Sequence, residues 1–119
     1  MLSVLRLAMY RYQKEFGFDF DLGFDLAIFP FLFDKSRQRD RCPSFIFGHL
    51  EPSGQWCYQV LWVDYGRVEL RFKKNARYTV LKARVTDLVG ADFELDEASP
   101  LLFESESSNE VCRYLMEFQ

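Results

Sequence analysis

The chain has 119 residues, a formal net charge of −3 at pH 7, 49% apolar and 28% charged side chains. That length is the size of one domain, able to bury roughly two-thirds of its unfolded surface, and the balance excludes a disordered or fibrous chain. Three cysteines (Cys42, Cys57, Cys112) at scattered spacings and without a CxxC pair exclude a disulfide framework and fit free thiols in a reducing compartment. One domain over residues 1–119 is expected. No apolar run approaches the length of a bilayer span, and MLSVLRLAMY lacks the basic start and small-residue cleavage site of a signal peptide, so a cytoplasmic location is expected.

Over residues 1–16, Leu2, Leu5, Met9, Tyr12 and Phe16 follow a spacing of three and four, which predicts a helix stopped at Gly17. Leu5, Leu7 and Met9 also alternate, so a strand competes with it. Seven phenylalanines then fall between residues 16 and 33. So much aromatic surface belongs to a core or an interface. Phe16, Phe18, Phe20 and Leu22 alternate with Gly17, Asp19 and Asp21, as in a half-buried strand with its aspartates outward. Beyond Gly23 the pattern is apolar on both faces, and Pro30 denies AIFPFLF a place as a central strand, leaving an edge strand or two short pieces.

DKSRQRDR (34–41) reads as a charged loop. Four strands are expected at about 44–50, 55–64, 66–73 and 77–85, separated by short runs rich in turn formers, as in consecutive antiparallel hairpins. In the third, Val68, Leu70 and Phe72 would face inward and Arg67, Glu69, Arg71 and Lys73 outward. Trp56, Tyr58, Val60 and Trp62 form a further apolar stripe. Strands near 93–95 and 101–103 precede a final helix capped by Ser107 or Ser108, with Val111, Tyr114, Leu115 and Phe118 as its buried stripe. The expected fold class is α+β: a mainly antiparallel, curled sheet of five to seven strands with a C-terminal helix.

LLFES followed by SESSNEVCRYLMEF, after a sheet meander, resembles the end of a pleckstrin-homology-like domain. The resemblance covers about the last 75 residues and implies a strongly curled sheet closed by the terminal helix. It departs from that fold in having too few strands after residue 44 and no lipid-binding signature.

Charge is unevenly placed. Residues 35–84 hold eleven basic and four acidic side chains (+7); residues 85–119 hold one and nine (−8). If Asp92, Glu94, Asp96, Glu97, Glu104, Glu106 and Glu110 share a surface, they would steer a basic partner toward it. This points to a non-enzymatic inhibitor or immunity-type protein that blocks a basic, nucleic-acid-acting effector, with exposed aromatics such as Tyr65 as anchors. The alternative is a nucleic-acid or anionic-lipid module using Arg37, Arg39, Arg41, Arg67, Arg71, Lys73 and Lys74. An enzymatic reading would rest on the single histidine, His49, or on Asp19, Asp21 and Asp25, which lack the glycine and terminal glutamate of a calcium loop. No cofactor or metal is expected, and a phenylalanine-bearing edge (Phe29, Phe31, Phe33) makes a homodimer an expectation.

Overall fold

The computed structural model describes residues 10–13, 19–36, 42–71, 76–87, 92–95 and 101–119. Its architecture is α+β. Strands β1 (Arg11–Tyr12) and β2 (Phe20–Asp21) form a two-stranded antiparallel pair. The main antiparallel sheet has the order β3 (Phe33–Asp34), β4 (Ser44–Leu50), β5 (Trp56–Val63), β6 (Tyr78–Asp87) and β7 (Asp92–Leu95), and β8 (Phe103–Ser105) also pairs with β6. Helix α1 (Ser108–Met116) follows.

The hairpin β4–β5 is the spine. Its register runs from Ser44 opposite Trp62 to Leu50 opposite Trp56, which sets Phe45, Phe47, Leu61 and Val63 on one face. Onto that face α1 docks through Val111 and Leu115, one helical turn apart and fully buried. Each contributes about 1.5–3 kcal/mol by leaving water. Ser107 caps the helix, its hydroxyl accepting from the Glu110 N–H at 3.2 Å, and Glu110 lies at the positive end of the helix dipole.

Phe16 and Phe18 of the phenylalanine block lie outside the described residues, and the described ones mostly join this same core. Phe20, Phe24 and Phe29 are buried with Tyr12 and Tyr78, whereas Phe31 is half-buried and Phe33 is exposed. Pro30 divides the segment as expected: a 3-10 turn at Leu26–Ile28, capped by the Asp25 carboxylate, precedes the short edge strand β3. Phe29 thus faces the interior, and only Phe33 of the expected edge residues lies in the edge strand. Gly23 makes the turn after β2 with φ +79°, and an added Cβ would stand 2.1 Å from Tyr78 Oη.

Three expectations are corrected. The strand expected at 66–73 is absent over its described part, residues 66–71: β6 pairs directly with β5, with Val63 opposite Tyr78, and Val68–Leu70 form a 3-10 turn in the connection, while Phe72 and Lys73 lie outside the described residues. Arg67 and Glu69 are exposed as expected, but Val68 and Leu70, expected inward, are exposed by 69% and 51%, and Arg71, expected outward, has a side chain 5% exposed. The alternating pattern met the local requirement of a strand, but the edge it needed was occupied by β6. At the N-terminus, Arg11–Tyr12 is extended rather than helical, because it pairs with β2; the rest of the expected helix lies outside the described residues. The strand expected at 101–103 lies two residues later, leaving Leu101 and Leu102 exposed.

Candidate functional site

A strand has two pairing edges, and β5 occupies one edge of β6. β7 and β8 therefore lie end to end along the other, β8 opposite Tyr78–Val80 and β7 opposite Ala83–Asp87. This arrangement places Asp92 and Glu94 of β7 and Glu104 of β8 on one border of the sheet. Glu106 and Glu110 follow at the entrance to α1, and Asp96 and Glu97 lie outside the described residues. The described acidic residues of this segment thus lie along the β7–β8 border and the helix start, with Glu94, opposite Arg84, and Glu104, opposite Thr79, on opposite faces of the sheet.

Part of that charge is compensated. The Arg71 guanidinium grips both Glu106 carboxylate oxygens at 2.6 Å, and it also donates to the main-chain oxygens of Tyr65 (2.8 Å) and Gly66 (3.2 Å). The Arg71 hydrogen bond holds the Glu106 carboxyl below its usual pKa. Glu94 lies opposite Arg84 in the register. Glu104 is exposed, and Glu110 accepts from the Ser105 hydroxyl at 2.7 Å.

Among the described residues the basic side chains are held singly. Arg67 is held by Glu69 at 2.7 Å, Arg71 is turned inward, and Arg77 donates to the main-chain oxygen of Asp21 at 2.9 Å. Arg37, Arg39, Arg41, Lys73 and Lys74 lie outside the described residues. Tyr65 is half-buried against Phe20, with ring centroids 4.7 Å apart, so it is a core-margin residue rather than an exposed anchor.

The aspartates of the phenylalanine block hold the chain in place. Asp19 pairs with Arg11 at 2.8 Å, Asp21 accepts the N–H groups of Tyr10 and Gly23, and Asp25 caps the 3-10 turn. Among the described residues no group of three His, Cys, Asp or Glu side chains is placed to hold a metal. All three cysteines are free thiols. Cys57 donates to Glu51 at 2.9 Å, and that hydrogen bond raises its pKa, which disfavours the nucleophilic thiolate.

His49 Nε2 lies 2.9 Å from Gln59 Nε2, and Gln59 Oε1 accepts from the Tyr114 hydroxyl. The Gln59 amide thus links the His49 ring to the Tyr114 hydroxyl. The histidine ring also packs 4.9 Å from Phe118. Here, at the far end of β4, lies a groove of about 470 Å³ that wraps the strand edge, bordered by Leu50 and Trp56 from one face and by His49, Glu51, Glu117 and Phe118 from the other. Sequence patterning did not anticipate it, because it joins a hairpin end to residues that follow α1. Trp56, read in the sequence as part of an apolar stripe with Tyr58, Val60 and Trp62, is instead 55% exposed at the hairpin mouth.

No protein-family model matches the chain, and neither a curated protein nor a solved structure matches it. The likeness to a pleckstrin-homology-like domain accordingly remains one of element order. Among the described residues no helix is long and apolar enough to cross a membrane.

Proposed function

We propose that the chain is a non-enzymatic, cytoplasmic protein-binding module: an inhibitor or immunity-type protein that covers a basic, nucleic-acid-acting effector. One observation carries this reading. The end-to-end pairing of β7 and β8 on β6 brings Asp92, Glu94 and Glu104 to one sheet border, beside Glu106 and Glu110. A border of one charge sign speeds encounter with an oppositely charged protein and discriminates against acidic ones. Asp96 and Glu97 follow β7 directly in the sequence and lie outside the described residues. Arg71 neutralises Glu106 and so leaves Asp92, Glu104 and Glu110 as the main attraction.

The test is capture by the tagged chain from nuclease-treated lysate of its source cells, read by mass spectrometry, beside a Glu94→Lys/Glu104→Lys variant. A near-stoichiometric basic protein retained by the native chain, and lost from the variant, supports the reading. Equal retention by both chains overturns it. Nucleic acid retained from untreated lysate, with no protein partner, transfers the assignment to the basic residues.

A further inference from the structure

The opposite border of the sheet carries a second, independent docking feature. Along β4, Lys35 N–H bonds to the Ser44 oxygen on the β3 side, whereas Glu51 N–H bonds to the Gln55 oxygen and Val63 N–H to the Pro43 oxygen on the β5 side. Antiparallel pairing alternates direction at every residue. The odd-numbered residues therefore bond to β5, and Ser44, Ile46, Gly48 and Leu50 direct their N–H and C=O groups to the other side. β3 meets only Phe45 and Ile46. Among the described residues no strand pairs with Gly48 and Leu50 on that side, so their main-chain groups form an open edge.

The two faces beside this edge differ in chemistry. On one, Leu50 and Trp56 are exposed by 64% and 55%, and the Trp56 indole lies over Gly48, where a Cβ would stand 2.7 Å from the ring. On the other lie His49, Glu51 and, from beyond α1, Glu117 and Phe118, and the groove of about 470 Å³ is bordered from both faces, by these residues and by Leu50 and Trp56. Two carboxylates border it, and no lysine or arginine does among the described residues. Carboxylates beside an aromatic ring suit a guanidinium or ammonium group.

We infer that this edge binds an extended peptide segment of alternating apolar and basic residues, which adds to the sheet as a strand beside β4. Its main chain pairs with Gly48 and Leu50, its apolar side chains cover Leu50 and Trp56, and its basic side chains reach Glu51, Glu117 and Phe118. Side chains of a strand alternate between faces, so one segment meets both surfaces at once. A second copy of this chain is a poorer occupant, because a two-fold edge pairing would bring Glu51 and Glu117 toward their own equivalents.

The test uses fluorescence anisotropy of a labelled hexapeptide of alternating valine and arginine, with a valine–glutamate peptide as control. The basic peptide is expected to bind and the acidic one not to. E51Q/E117Q and Trp56→Ala, each confirmed as folded by circular dichroism, are expected to weaken binding by about two- to fivefold. N-methylation of the peptide amides that face β4 is expected to abolish binding, and methylation of the alternate amides to spare it. Glu94→Lys/Glu104→Lys leaves this binding unchanged, so its outcome is separate from that of the acidic border. Equal binding of both peptides, indifference to E51Q/E117Q, or a dimer in sedimentation that the peptide fails to dissociate would overturn the assignment.

Discussion

Tyr78 Oη donates a 2.8 Å hydrogen bond to the main-chain oxygen of Leu22, a residue 56 positions earlier, and so ties the phenylalanine-rich segment to the longest strand. The same hydroxyl lies 3.0 Å from Ser108 Oγ at the first turn of α1. One buried phenol thus joins the three parts of the chain that enclose the core. Gly23, beside Leu22, leaves the space the hydroxyl needs.

Gly23→Ala is therefore expected to destabilise the fold by about 2–4 kcal/mol, through positive-φ strain and the clash with Tyr78 together. Tyr78→Phe keeps the ring and removes the hydrogen bond, at a cost of about 1–2 kcal/mol. Urea unfolding of the two variants measures both. A Gly23→Ala loss no larger than that of Tyr78→Phe would show that the turn relaxes around the methyl group.

Arg71 and Glu106 form one pair, but their replacements are expected to differ. The Arg71 side chain is 5% exposed and that of Glu106 is 61% exposed. Arg71→Ala leaves the Tyr65 and Gly66 oxygens without their donor and should cost about 2–3 kcal/mol. Glu106→Gln removes the charge and one of the two acceptor oxygens at a side chain open to solvent, and should cost about 0.5–1 kcal/mol. Denaturation midpoints at low and high salt check this, with salt dependence reduced in both variants.

Val68→Ser and Leu70→Ser are expected to change stability by no more than about 0.5 kcal/mol, because both side chains are already in water. Phe29→Ala, at a position 1% exposed, should cost about 3–5 kcal/mol. A large loss on replacing Val68 or Leu70 would restore the inward-facing strand at 66–73 and contradict the turn.

Burial raises the Tyr114 pKa from 10.0 to about 12. The folded phenol holds its proton more tightly than the unfolded one. Its stabilising contribution is complete below about pH 10 and is lost as the pH rises toward about 12. Tyr78, raised chiefly by burial, acts in the same direction. Unfolding free energy should fall across that window, and the fall should be smaller in Tyr114→Phe, with tyrosinate absorbance followed in parallel.

Local pattern determined a large part of this protein. Alternation and turn residues located β4, β5 and β6, the Ser107 cap and the Val111/Leu115 spacing located α1, and the aromatic density of residues 16–33 marked core. These features depend on which side of an element is apolar, and neighbouring residues alone encode that. Only the tertiary structure decided that Val68–Leu70 is a turn, because the β5 edge it would have joined is taken by β6. The same holds for charge. Arg71 and Glu106, 35 residues apart, cancel each other, while β7 and β8 bring Glu94 and Glu104 to one border. Edge occupancy and charge meetings arise from pairings across long separations, and segment sums of charge contain no information about them.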